Sequence, residues 1–271
     1  MTITRRSTLE FASGLAVLGG SPVAAFAGTG IVSPAPSGPH TAQSFLQLVV
    51  HRDETDGVPH HAMLSIASPD TLWVAINTLD AAGYKNAAEK YRLRGYRLRR
   101  LDGFQTASGP RYAAIWQYAN GPAQQAQPGM TQAEFEQRSA RLEQQGYRLA
   151  YVDGSGSSSG PTYCAIWEKR TAVQDAGAML TAADYERKLS AQAAQGFRPR
   201  GISGYAVDGQ SRFAAIFEKS AGPAWVADHR MTAQGFKTKN AALLAQGYSL
   251  TDVSGHAIGK QPVFSGIWEK V

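Results

Sequence analysis

The stretch RYAAIWQY, Arg111–Tyr118, reads as a buried strand. The chain writes it again as TYCAIWEK at Thr162–Lys169, RFAAIFEK at Arg212–Lys219 and VFSGIWEK at Val263–Lys270. Its isoleucine recurs at Ile115, Ile166, Ile216 and Ile267, in steps of 51, 50 and 51. An upstream pair travels with it: Gly95-Tyr96, Gly146-Tyr147, Gly196-Phe197 and Gly247-Tyr248. A period of about 50 residues held over four copies marks a repeat architecture, in which each unit buries its apolar surface against the next.

Working outward from the strand, Asp80, Thr131, Thr181 and Thr232 each stand 35 residues before their isoleucine. Asp and Thr are helix N-caps, since the side-chain oxygen takes up an orphan backbone N–H. Glu134, three residues after Thr131, adds a capping box. Phe135 with Leu142, Tyr185 with Leu189 and Phe236 with Leu243 then fall on one helical face. The recurring glycine suits the left-handed residue that ends a helix. After it comes a short alternating strand, as in YRLRRLDGF. Asp102-Gly103, Asp153-Gly154, Ser203-Gly204 and Ser254-Gly255 read as turn dipeptides. Variable loops follow at Gln105–Pro110, Ser155–Pro161, Ala206–Ser211 and Ala257–Pro262. The expected unit is therefore helix, strand, loop, strand.

The register predicts a degenerate first copy at 41–79, with Thr41 as cap, Phe45 on the helix and LWVAI in the place of TYCAI. Full units are expected at 80–130, 131–180, 181–231 and 232–271, behind a linker at 28–40. The connections NGPAQQAQPGM and AGPAWVADHRM read as loops, being rich in Gly, Pro and polar residues.

These motifs together, T-x-x-x-[YF], Q-G-[YF]-R-[LP], [SD]-G-[YF], R-[YF]-A-A-I-[WF]-E-K and G-P-A-W, resemble a secreted bacterial tandem-repeat domain. The same repeat forms the N-terminal half of fungal polyglycine hydrolases. The resemblance covers about residues 80–271 and, weakly, 41–79. It implies an α+β fold of stacked repeats, wound as a left-handed β-corkscrew. In the fungal relatives a β-lactamase-like domain follows the repeats, and its site needs Ser-x-x-Lys. No Ser-x-x-Lys occurs in these 271 residues, so peptidase activity does not carry over.

Residues 1–27 carry the marks of an export signal. Arg5-Arg6 resembles a Tat motif, a short and broken apolar stretch follows, and Ala25-Phe26-Ala27 offers a cleavage site. The expected destination is the periplasm or the exterior, with no membrane span in the mature chain. Net charge is +6 over the whole sequence, and Lys and Arg are scattered without an aromatic-interleaved stripe, which argues against a nucleic-acid partner. The single cysteine, Cys164, matches Ala113, Ala214 and Ser265 in register and reads as a small core residue.

Candidate sites are weighed against the repeat itself. Trp116, Trp167, Phe217 and Trp268 share one position and read as a stacked aromatic ladder in the core. Trp225, outside that position, is a candidate surface contact. Arg97, Arg148 and Arg198 recur after the strand aromatic, and either pair with Glu168, Glu218 and Glu269 or form an anion-binding row. Asp208 and His256 are candidate contacts in the variable loops, and His229 is expected in a loop. His60-His61, with His51 and Asp53, is the one histidine cluster, but adjacent side chains on a strand point apart, so no metal and no cofactor is expected. The sequence favours a non-catalytic exported module that binds an extended ligand, whether peptide, glycan or a cell-envelope partner, along the aligned loops. A hydrolase with a site in those loops is the alternative.

Overall fold

A computed structural model describes residues 73–156 and 160–271, together with the backbone of 31–32, 45–47 and 65–67. Each of four units is a strand, a helix and a β-hairpin. The first unit comprises β4 (Trp73–Leu79), α1 (Ala81–Arg92), β5 (Tyr96–Thr106) and β6 (Gly109–Tyr118). The second comprises β7 (Gln124–Thr131), α2 (Gln132–Gln144), β8 (Tyr147–Ser155) and β9 (Thr162–Lys169). The third comprises β10 (Gln174–Leu180), α3 (Ala182–Ala194), β11 (Phe197–Val207) and β12 (Gln210–Lys219). The fourth comprises β13 (Trp225–Thr232), α4 (Ala233–Ala245), β14 (Tyr248–Ile258) and β15 (Gln261–Lys270). In every unit the third strand lies between the other two, antiparallel to both.

Local chemistry sets the helices. Asp80, Thr131, Thr181 and Thr232 each accept a backbone N–H from three residues on, and Thr131–Glu134 and Thr181–Asp184 complete capping boxes. Gly95, Gly146, Gly196 and Gly247 end the helices with φ of 79–81°, where a Cβ is disfavoured. The helices turn Tyr84, Phe135, Tyr185 and Phe236 inward.

The shared aromatic position is buried in all four units, at 0–2% exposure. Its members do not stack on one another as a ladder. Each packs under the helix of its own unit: Trp116 lies 5.1 Å from Tyr91, Trp167 6.2 Å from Phe135, Phe217 6.3 Å from Tyr185 and Trp268 5.7 Å from Phe236. The reason is the pleat, which aims alternate side chains at opposite faces of a sheet. The isoleucine one residue before faces the other way. Ile166, Ile216 and Ile267 join the core of the preceding unit.

Several expectations change. NGPAQQAQPGM and AGPAWVADHRM are not loops: they carry β7 and β13, edge strands that pair on one side only. Each first strand contains a bulge just before the helix, holding Thr78, Gly129, Met179 or Arg230 at φ of 56–65°. That bulge breaks the alternation by which a strand is recognised. The described part of LWVAI, Trp73–Ile76, likewise lies in the first strand of the first full unit, bonded to β6, and not in the last strand of a degenerate copy. β1 (Ile31–Val32) adds to its outer edge. Phe45 lies in β2 (Phe45–Gln47), paired with β3 (Ser65–Ala67), rather than in a helix. The export signal, Thr41, His51, Asp53 and His60-His61 lie outside the described residues.

The Asp-Gly and Ser-Gly dipeptides are not turns either. They sit mid-strand, and the true turns come later, as at Asp208-Gly209, where two positive φ angles make a primed hairpin turn. The dipeptides build the seam between units. The N–H of Gly103 donates to Asp153 Oδ2 at 2.9 Å, that of Gly154 to Ser203 Oγ at 2.9 Å and that of Gly204 to Ser254 Oγ at 2.8 Å. Gly is needed because the next unit presses on it. A Cβ on Gly154 would enter the Tyr205 ring, and one on Gly204 would meet His256 Nδ1 at 2.7 Å. Among the described residues no helix is long and apolar enough to cross a membrane.

Candidate functional site

The first strand of each hairpin carries its own bulge, four residues after the helix-ending glycine has turned the chain. The unpaired residues are Arg99, Ala150, Arg200 and Thr251. A bulge ejects its residue from the ladder and re-aims it. All four line a single cleft of about 580 Å³, which Trp73, Tyr151 and Arg170 also face. The repeat thus places one equivalent residue from every unit around one opening.

Behind the cleft lies a polar layer at the seam. Arg100 pairs with Asp252 at 3.4 Å, joining the first unit to the fourth, and its guanidinium lies 4.8 Å from the Tyr151 ring. The Tyr151 hydroxyl donates to Asp102 Oδ1, and Asp102 Oδ2 has no hydrogen-bond partner among the described residues. Burial raises Asp102 to about 6, against the pull of Tyr151 and Arg100. Asp153 and Asp252 are raised by the same cause. Ser203 Oγ donates to Asp153 Oδ1 at 3.0 Å, and the N–H of Ile202 to Asp252 Oδ2 at 2.8 Å.

The recurring arginines are tied into the seam. Arg97 reaches Glu168 of the next unit at 2.8 Å and the Pro122 carbonyl at 2.5 Å. Arg198 reaches Glu269 at 3.1 Å and the Pro223 carbonyl. Gly121 and Gly222 precede those prolines because each guanidinium lies where a Cβ would be. Arg148 breaks the series: it bonds the Ala172, Glu143 and Tyr147 carbonyls, while Glu218 is taken by Arg170 at 2.5 Å. These contacts occupy Arg97, Arg148 and Arg198 and leave no continuous row of open guanidinium groups.

Trp225 is half-buried at the start of β13, opposite Glu269. Its counterparts explain it. Gln124 and Gln174 each clasp the preceding unit, accepting from the N–H and donating to the C=O of Leu98 and Leu149 at 2.8–3.0 Å. Where Trp225 stands, the residue in the place of Leu98 is Pro199, which has no N–H to give. Asp208 is exposed at its turn.

The two histidines lie in strands, not loops. His256, at 1% exposure, covers Gly204 and holds Ser211 Oγ at 2.8 Å through Nε2. His229 packs between the Tyr185 and Phe213 rings, and burial lowers its pKa. Cys164 is a buried core residue whose thiol burial pushes well up, so it stays protonated at neutral pH. Among the described residues no group of three or more His, Cys, Asp or Glu is placed to hold a metal ion.

Sequence reasoning missed Arg99, Arg200, Trp73 and Tyr151 as residues of one cleft. One signal was available: the apolar residues around Arg99 step by three, from Leu98 to Leu101, where an unbroken strand steps by two.

No curated protein matches the chain. A family described as "polyglycine hydrolase-like, structural repeat" matches at 71–119, 121–170, 176–220 and 222–271, so that each match takes in one strand–helix–hairpin unit. The four matches span most of the sequence, and the chain belongs to the polyglycine hydrolase-like structural repeat family.

Proposed function

We propose that the chain is a non-catalytic repeat module of an exported protein, wound as a left-handed corkscrew, which holds one end of an extended peptide or glycan in the cleft where the four bulges meet. The observation that carries this reading is the convergence of Arg99, Ala150, Arg200 and Thr251. Bulges interrupt a ladder and weaken it, so four at one register, all facing one cleft, fit a binding role better than a packing one. The Arg5-Arg6 pair and Ala25-Phe26-Ala27 support export to the periplasm or beyond.

A hydrolase remains the competing reading because Ser211 and His256 lie within nucleophile–base distance. Burial of His256 under Gly204 and Phe213 favours a packing role for that pair. The test is a peptide and glycan array run with the purified mature chain, beside a hydrolysis screen. Binding that is lost on replacing cleft residues, with no turnover, is the expected result. Turnover abolished by Ser211→Ala would overturn it. N-terminal sequencing of the exported protein should begin near Gly28.

A further inference from the structure

Six guanidinium groups lie in the cleft or directly behind it, and four carboxylates answer them. Arg97 meets Glu168, Arg170 meets Glu218 and Arg100 meets Asp252, while Arg198 and Arg200 share Glu269. Arg99 has an amide in place of a carboxylate, its Nε donating to Gln117 Oε1 at 2.7 Å. Arg99 and Arg200 are also the two bulge arginines that reach solvent, one from the first unit and one from the third.

We infer that the cleft recognises a carboxylate on its ligand, and that Arg99 and Arg200 supply the contact. This rests on the binding-module reading above and names the chemistry of its ligand. A guanidinium offers a planar fork that matches the two oxygens of a carboxylate. Partial burial, with Arg97 and Arg100 nearby, makes the Arg99 cation less comfortable than an ordinary arginine, against the opposing pull of Glu168. An incoming anion relieves that crowding. Glu168 and Glu269 stay on the cleft wall, and their charge penalises a phosphate dianion more than a single carboxylate. The volume suits a small ligand or the end of a chain. Trp73 and Tyr151 also line the cleft and add aromatic surface to it.

The experiment is calorimetric titration of the full chain with four probes: acetyl-trialanine with a free carboxylate, the same peptide as its amide, trigalacturonate and inorganic phosphate. Saturable binding of a carboxylate probe is expected, weakened about tenfold or more in the R99Q/R200Q double variant at unchanged melting temperature. Which of the peptide and the sugar binds identifies the source of the carboxylate. The lysine pair R99K/R200K keeps the charge and loses the fork, and should fall between. Phosphate binding as tightly as either carboxylate, full affinity in R99Q/R200Q, or no saturable carboxylate binding would each overturn the inference. Equal binding of the amide would overturn it too, yet leave the binding-module reading standing. An array with no ligand of any kind would remove that reading itself.

Discussion

Beneath α1 to α4 the four units hold the same kind of residue at the same place: Trp116, Trp167, Phe217 and Trp268 against an aromatic of the helix. Between units they hold different residues doing one job. The acceptor for a glycine N–H is Asp153 at one seam and Ser203 or Ser254 at the next two. The residue that covers the glycine is Cys164, then Tyr205, then His256. Apolar packing rewards volume and shape, so a good solution is copied. A seam needs only a donor, an acceptor and a close approach, which several pairs of residues satisfy.

The sharpest way to break this comparison is on the packed side. Trp167→Ala should cost about 3–5 kcal/mol, the range for truncating a buried large aromatic. Urea unfolding measures it, and a variant as stable as the parent would mean that the helix-covered face is not the main core. On the seam side, Gly154→Ala drives a methyl into the Tyr205 ring, which is buried and whose hydroxyl is bonded to Tyr163. Overpacking of that kind costs about 2–3 kcal/mol, and the double variant with Tyr205→Ala should lose less than the sum of the two single changes, since the methyl then has room.

Acidity sharpens the contrast, because carboxylates lie in the seam and not under the helices. Asp102, with a folded pKa of about 6, holds its proton more tightly than the unfolded chain does. Asp153 and Asp252 shift the same way. The contribution of Asp102 to stability is therefore full below the ordinary carboxylate range and is lost as pH rises through about 6, and those of Asp153 and Asp252 are likewise lost as pH rises above the ordinary range. Denaturation at pH 4.5 and 7.5 should show the protein more stable at the lower value by on the order of 2 kcal/mol. Asp102→Asn should flatten that slope. The smallest effect is expected at a half-buried contact. Gln124→Leu strands the Leu98 N–H and C=O where water can partly replace the amide, at about 1 kcal/mol. The same change at Trp225 strands no donor, since Pro199 stands opposite.

The two regions also differ in how far they could be read from the sequence. Thr131, Glu134, Phe135, Leu142 and Gly146 announce a helix within fifteen residues, and all are placed as read. The partner of Gly103 is Asp153, fifty residues away, and nothing local distinguishes that Asp-Gly from the turn at Asp208-Gly209. The edge strands were hidden for a physical reason. Pro128 and Gly129 sit in β7, and a strand paired on one side tolerates both. The cleft was hidden because its residues come from four units and stand at the one place in each strand where alternation fails.

A seam built from a glycine and an acceptor can be repeated without end, for its two sides are unlike and each new unit offers both. The ion pair of Arg100 with Asp252 has a different arithmetic. Its register position is occupied in turn by Arg100, Tyr151, Gly201 and Asp252, and a cation opposite an anion arises only between the first and the fourth. A gene that gained or lost one copy by unequal recombination would still encode sound seams, yet it would move Asp252 away from its place opposite Arg100. Among the described residues the Arg100–Asp252 pair thus depends on the number of units between its two members, whereas the seams do not.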